Sequence, residues 1–353
     1  MLNKIEYYKA YLEVLKKIKI IAHRGNVGSL IIGDNAVDNS KEAIAQALMR
    51  SYIDGIEVDV ILTKDDKLAA IHYEKLKALS GMNLNVSDLT MKELNQIEVH
   101  DHFLYEKGLR ARGFLLPHPI KNYKRISDKI TNTTYTMELN EMLEIFDAEK
   151  REGIYLNKEI LIELKGEKYG YGRIKYANEA LIEIVGNHKN KNIAVQSYNE
   201  QAMTKFKIAH TDIKTGLLVN NFQQKRLKKE YMDINSAYDF YSVMWNWPTI
   251  KKMEVLAKHG KGLKFWTLDS LRHYQLAIHR CTRAQQLGIE LPEIGLISNI
   301  PDQLIGYLAK GIEKGTNQLP EDLFTKADHQ IVLDRNAIEK RLVKSKQAAL
   351  LFN

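Results

Sequence analysis

At 353 residues the chain is long for one ordinary domain and of normal length for an α/β barrel. With 44% hydrophobic residues, no Pro-, Gly- or Ser-rich linker and no run of transmembrane length, it has a large core to bury and nothing that reads as a membrane span. A single cysteine, Cys281, excludes an internal disulfide framework and fits a reducing compartment; the formal net charge of +8 is diffuse and makes no nucleic-acid patch. Its densest run, Lys225-Arg226-Leu227-Lys228-Lys229, reads as a solvated helix face.

Residues 1–17 alternate charged with aliphatic side chains, read as an N-terminal helix and lack a signal-peptide core. The expected location is cytoplasmic, with export by a route lacking a signal peptide left open. Short apolar runs then alternate with amphipathic stretches, the pattern of a parallel sheet with crossover helices. Strands are predicted over 18–22, 55–61, 68–72, 159–165, 192–197, 214–219, 240–244, 263–268 and 294–298. Helices are predicted over 39–51, 87–97, 137–150, 174–186, 199–208, 249–259, 271–287 and 302–313. Nine strands are one more than an eight-stranded barrel needs. The turn signal Thr63-Lys64-Asp65-Asp66-Lys67 removes the surplus by making 68–72 the returning arm of a hairpin. The expected fold is a distorted TIM (β/α)8 barrel over 18–313. The hairpin and a long insertion, about 73–135, would lie over the mouth, with 314–353 a C-terminal helical extension.

The chemistry-bearing residues fall at one end of these strands. Glu57 and Asp59 lie two apart in Ile56-Glu57-Val58-Asp59-Val60 and so share a strand face. Two buried like charges are costly unless a cation neutralises them. With the hairpin turn centred on Asp65 and Asp66, Asp59 would stand directly opposite His72, giving a metal site with a titratable base beside it. His23 and Arg24 end the first strand, Glu163 and Lys165 another, Ser197 and Tyr198 a third, and Trp266 and Thr267 a fourth. Barrel enzymes place their chemistry at these C-terminal strand ends. Other candidates carry less. His100-Asp101-His102 has a metal-like spacing without a strand to fix it, and His118 between two prolines reads as a loop residue. Gly166 to Gly172 matches neither dinucleotide nor P-loop spacing and reads as a loop by the mouth.

The chain resembles the glycerophosphodiester phosphodiesterase family through an ordered set of motifs running from about 18 to 312. These are His23-Arg24-Gly25, Asn39-Ser40, Gly55-Ile56-Glu57-Val58-Asp59-Val60, Thr63-Lys64-Asp65, His72 and Ser87-Asp88-Leu89-Thr90-Met91-Lys92-Glu93-Leu94. Tyr135-Thr136-Met137-Glu138-Leu139, Ile162-Glu163-Leu164-Lys165, Ser197-Tyr198, Trp266-Thr267-Leu268-Asp269 and Ile297-Ser298-Asn299-Ile300-Pro301 follow in the same order. The resemblance implies a TIM barrel that cleaves a glycerophosphodiester, small or lipid-derived, to an alcohol and glycerol 3-phosphate. It implies a divalent cation, Ca2+ or Mg2+, on Glu57, Asp59 and Glu163, and His23 and His72 as acid and base. Arg24 and Lys165 would bind the phosphate, with Tyr198 and Trp266 as walls for the substrate or simply as core aromatics. Three motifs depart from the family. Val37-Asp38-Asn39-Ser40 stands for Pro-Glu-Asn-Thr, Tyr73 replaces an aspartate after His72, and Lys77-Ala78-Leu79-Ser80 replaces Arg-Thr-Thr. Two alternatives stay open: a sphingomyelinase-D-like lyase leaving a cyclic phosphate, and a catalytically silent barrel that binds a phosphorylated ligand.

Overall fold

The computed structural model describes residues 2–25, 36–50, 52–100, 133–151, 158–166, 171–188, 192–219, 237–246, 248–301 and 304. Helix α1 (Leu2–Leu15) precedes β1 (Ile18–His23), α2 (Lys41–Met49) and β2 (Gly55–Leu62). Next come β3 (Leu68–Ala70), α3 (Lys77–Ser80), α4 (Met91–Leu94), β4 (Val99–His100), β5 (Thr133–Thr134) and α5 (Leu139–Arg151). Alternation then becomes regular: β6 (Glu159–Leu164), α6 (Tyr171–Asn187), β7 (Ile193–Ser197), α7 (Glu200–Ala209), β8 (Lys214–Val219) and β9 (Phe240–Met244). It ends with α8 (Ile250–Lys258), β10 (Gly262–Trp266), α9 (Leu271–Gln286) and β11 (Ile294–Ser298).

The main sheet runs β1-β11-β10-β9-β8-β7-β6-β2-β3, and β1 also pairs with β2. That extra pairing closes eight parallel strands into a barrel and leaves β3 outside as the antiparallel hairpin arm. The strands read as near-continuous apolar runs because both faces are covered. Ile56, Val58 and Val60 face the helices in the main core with Ile44, Leu48 and Ile160. Ile21, Leu161, Ala194, Phe240 and Ile297 fill the bore. A separate apolar cluster, including Ile61, Ile71, Leu76, Val86, Leu94 and Val99, packs under the hairpin and fixes it on one side of the mouth. No helix among the described residues is long and apolar enough to cross a membrane.

Two expectations need correction. The hairpin exists, but its register is one residue off: Val60 pairs with Ala70, Ile61 with Ala69 and Leu62 with Leu68. The ladder continues with Ile71 N donating to Asp59 O at 3.1 Å, so Asp59 faces Ile71 and not His72. Thr63 sets this. Its hydroxyl donates to Asp65 Oδ1 (2.7 Å), lies 3.1 Å from Lys67 O and accepts from Lys67 N (3.0 Å). Thr63 N also donates to Lys67 O (2.8 Å), closing a three-residue loop with Asp66 left-handed at φ 58°. The helix predicted over 87–97 is a 3-10 turn (Val86–Asp88) followed by the single turn of α4. Thr90 caps that turn through a reciprocal box with Glu93, which halts the backbone between them. The extension 314–353, the run 225–229, His118 and most of 302–313 lie outside the described residues.

Candidate active site

The register across the mouth assembles the site. His23 pairs with Glu57 across β1 and β2, and Asp59 with Glu163 across β2 and β6. One ligating oxygen from each of Glu57, Asp59 and Glu163 lies within 4.8 Å of the others, and all three residues are buried. A solvent-open pocket of about 410 Å³ is lined by His23, Arg24, Glu57, His72, Glu163 and Lys165, and by Gln196, Tyr198, Leu218, Trp266, Thr267 and Ile297. His72 reaches it although the ladder does not aim it there, because β3 ends at Ala70 and the chain turns into the mouth.

Arg24 turns the corner after β1 with φ 55°, and Gly25 follows with φ 83°. A Cβ on Gly25 would lie 2.7 Å from Ala43, so only glycine lets this corner sit on the first turn of α2. Arg24 N donates to Glu57 Oε2 (3.1 Å), Nη1 to Asp38 Oδ2 (2.7 Å), and Nε lies 3.0 Å from Asp59 Oδ2. Lys165 Nζ pairs with Asp59 Oδ1 at 3.0 Å and with Glu163. His23 Nδ1 meets Asn299 Oδ1 at 2.6 Å, and Asn299 Nδ2 in turn donates to Asp269 Oδ2 at 2.7 Å. The Asn299 amide is therefore turned so that its oxygen accepts, and His23 carries its proton on Nδ1. The bare Nε2 faces the carboxylates, 3.7 Å from Glu57 Oε2.

The charges pull on one another. Burial, with Asp59 and Glu163 nearby, holds Glu57 well above the ordinary carboxylate range. Burial likewise raises Glu163 despite Lys165. Asp59 goes the other way, since Lys165, His72 and Arg24 outweigh its burial. Burial and Arg24 lower both histidines, His23 to about 3. Glu57 Oε1 is buried with no hydrogen-bond partner, and Asp59 Oδ1 has only its ion pair with Lys165. Three converging carboxylates with an orphaned oxygen fit a hard divalent cation, which takes oxygen ligands.

Of the other predicted residues, Tyr198 and Trp266 stand edge-to-face at the rim, with ring centroids 6.2 Å apart. Trp266 Nε1 is buried there without a partner. Ser197 stays out of the pocket, its hydroxyl donating to Leu164 O (2.8 Å). Tyr73 follows His72 directly in the chain. Its ring meets His72 edge-on at 4.3 Å, and its hydroxyl is hydrogen-bonded to Arg24. Three residues given no role from sequence hold the site in shape. Asn39 accepts from Asp59 N (3.0 Å) and donates to Asp59 Oδ2 (3.2 Å), Asn299 orients His23, and Gln196 lines the pocket with its oxygen accepting from Ser242 Oγ (2.6 Å). Asn39 had one signal, an Asn-Ser pair before a helix, which suits its left-handed φ of 59° ahead of the Ser40 cap. Asp101 and His102 lie outside the described residues.

The model of the glycerophosphoryl diester phosphodiesterase family matches residues 23–302. The chain belongs to that family. Among curated phosphodiesterases of the family, the glycerophosphodiester phosphodiesterase of Caldanaerobacter subterraneus is 24% identical over 84% of this chain and 99% of its own length. The Bacillus altitudinis glycerophosphodiester phosphodiesterase is 43% identical over a shorter stretch, 26% of this chain and 34% of that protein. A solved Oleispira antarctica phosphodiesterase, in complex with the product sn-glycerol 3-phosphate, shares the fold at a TM-score of 0.55 and 15% identity. That similarity covers 84% of this chain and 98% of the solved one. The phosphodiesterase family's barrel is the one described above.

Proposed function

We propose that the protein is a divalent-cation-dependent phosphodiesterase that cleaves a glycerophosphodiester to an alcohol and glycerol 3-phosphate. The observation that carries this is the convergence of three buried carboxylates, two imidazoles, Arg24 and Lys165 on one pocket at the C-terminal end of a barrel. Family membership and the glycerol 3-phosphate bound by the Oleispira relative support the choice of substrate. A phosphodiester is a monoanion whose nonbridging oxygens gain charge as phosphorus is attacked. Arg24 and Lys165 lie at the pocket wall to bind those oxygens, Arg as a fork and Lys as a point charge. Glu57, Asp59 and Glu163 would hold Ca2+ or Mg2+, which when bound supplies further charge stabilisation.

His23, with its proton fixed on Nδ1 by Asn299, presents a bare Nε2 and acts as the general base on the attacking oxygen. His72, on the hairpin side of the pocket, returns a proton to the departing alkoxide. Tyr198 and Trp266 wall the carbon skeleton of the substrate. Incubation of the purified protein with glycerophosphocholine, followed by phosphorus NMR, tests this. Glycerol 3-phosphate should form, the signal should vanish in EDTA, and excess Mg2+ or Ca2+ should restore it. A cyclic phosphate product would assign the protein to the lyase chemistry instead, and undiminished turnover in chelator would sink the cation requirement.

A further inference from the structure

His23 on β1 is oriented from the two strands that follow it round the barrel, β11 and β10. Asp269 lies in the loop that leaves β10, and Asn299 directly follows β11. Main-chain bonds set these exits side by side: Leu268 N donates to Ile297 O (2.9 Å), and Ser298 Oγ donates to Leu268 O (2.5 Å). Asp269 then grips Asn299 at two points. Its Oδ1 accepts from Asn299 N at 3.0 Å, and its Oδ2 from Asn299 Nδ2 at 2.7 Å. Asp269 N is itself engaged, donating to His273 Nδ1 (3.3 Å) in the first turn of α9 behind the Ser270 cap. A carboxamide can offer a histidine either its oxygen or its nitrogen, with opposite demands on the ring. The grip allows one of these. Asp269 is a carboxylate and only accepts, so Asn299 must give it the nitrogen and turn the oxygen to His23 Nδ1, 2.6 Å away. Asn299 is 7% exposed, so a bond lost here is poorly replaced by water.

We propose that Asp269 is a positioning residue for the reaction: its two-point hold on Asn299 keeps the His23 proton on Nδ1 and leaves Nε2 free as the base. Asp269 does not line the pocket, so it acts through Asn299 alone. The consequence for turnover rests on the base role proposed for His23, whereas the tautomer itself does not. Hydrogen-bond polarity makes the relay invertible. Asp269→Asn keeps the shape and exchanges one acceptor for a donor. With the new amide oxygen still accepting from Asn299 N, its nitrogen faces the Asn299 amide, which must turn over to offer Oδ1. Asn299 Nδ2 then donates to His23 Nδ1, and the imidazole proton moves to Nε2, where it blocks the base. The double exchange Asp269→Asn/Asn299→Asp restores the polarity. The carboxylate at 299 accepts from His23 Nδ1 and from the amide nitrogen at 269, while the backbone N–H of 299 donates to the amide oxygen at 269.

The test uses the full chain labelled with 15N-histidine, in excess Mg2+ at about pH 8, where an ordinary imidazole is neutral. Loss of resonances in His23→Gln assigns the His23 signals. Wild type should show Nδ1–H, Asp269→Asn should show Nε2–H, and the double exchange should show Nδ1–H again. On glycerophosphocholine, Asp269→Asn should lower kcat roughly 10²–10⁴-fold with KM within about twofold, as a histidine in the wrong tautomer does, and the double exchange should recover most of that loss. A side chain that merely braces the loop would leave the tautomer unmoved in all three proteins. Should Asp269→Asn fail to fold, Asp269→Ala releases the amide and should give a mixture of tautomers. Pure Nδ1–H in the folded single variant, or Nε2–H in the double exchange, overturns the inference even if hydrolysis and its cation requirement stand. A tautomer that moves with kcat intact would instead take the base role from His23 and leave the Asp269 relay standing.

Discussion

Asp59 divides its two oxygens between neighbours: Oδ2 is held by Asn39 and Arg24, and Oδ1 by Lys165. Glu57 has no such cationic clasp at Oε1, and with Glu163 it is pushed toward the protonated form by burial and by like charges. The folded pKa of both glutamates therefore exceeds the unfolded one. Without cation, the stability they contribute is present at low pH and drains as pH rises through the folded values. A cation must displace those protons, so its binding should tighten with pH. The rise in Tm produced by a saturating cation should accordingly be larger above neutral pH than near the ordinary glutamate value of 4.5, read by differential scanning calorimetry; an equal or smaller rise at the higher pH would contradict a site on Glu57 and Glu163. Losing a proton-transfer group should cost turnover roughly 10²–10⁴-fold, so His23→Gln should reduce kcat on that scale with the fold retained by circular dichroism. A nitrophenyl diester, whose leaving group needs no acid, should rescue His72→Gln and leave His23→Gln slow. Glu57, Asp59, His23 and Arg24 were legible in the sequence because each combines a charged or titratable side chain with an apolar strand. Asn39 and Asn299 fell within motifs read from the sequence, but their roles were not legible, since an amide that merely orients a neighbour has no spacing rule to betray it.

At the scale of elements, the nine strands of the main sheet were read within a residue or two because buried parallel strands are unbroken apolar runs, whereas the two-residue strands β4 and β5 were missed because so short a pairing leaves no pattern. What failed was register. Thr63-Lys64-Asp65-Asp66-Lys67 allows a two- or a three-residue loop, and the choice rests on the Thr63 hydroxyl bonds and on Asp66 tolerating a positive φ. Composition does not reveal which. The bore shows a second dependence that a sequence hides. A Cβ on Gly216 of β8 would lie 2.0 Å from the Phe240 ring, so the phenyl fills the space that a side chain at 216 would take. Gly216→Ala should lower stability by about 1–3 kcal/mol or more through overpacking, measured by urea unfolding. Trimming the ring in Gly216→Ala/Phe240→Leu should recover part of the loss. If the two changes simply add, the clash is not the cause.

The whole molecule separates its two ends. Opposite the pocket, Lys264 and Glu159 form an ion pair deep in the bore, 2% and 3% exposed, with Lys19 and Glu293 beside it. Removing one partner of a buried pair leaves an uncompensated charge, so Lys264→Met should cost about 3–5 kcal/mol, and Lys264→Met/Glu159→Leu should regain most of it. Because this pair lies at the end of the barrel remote from the mouth, kcat/KM of the surviving folded protein should stay within about twofold of wild type at a temperature where both are folded. A large loss of activity would show that the two ends are coupled. The closure itself has a consequence in time. His23 takes its orientation from Asn299, a partner 276 residues later, and the β1–β2 seam is only three residue pairs long. On the ribosome the first strand waits for nearly the whole barrel to be synthesised before its histidine acquires a partner. A nascent chain, however well its early helices have formed, thus emerges without a completed pocket, and a product ended before residue 299 lacks the partner that orients His23.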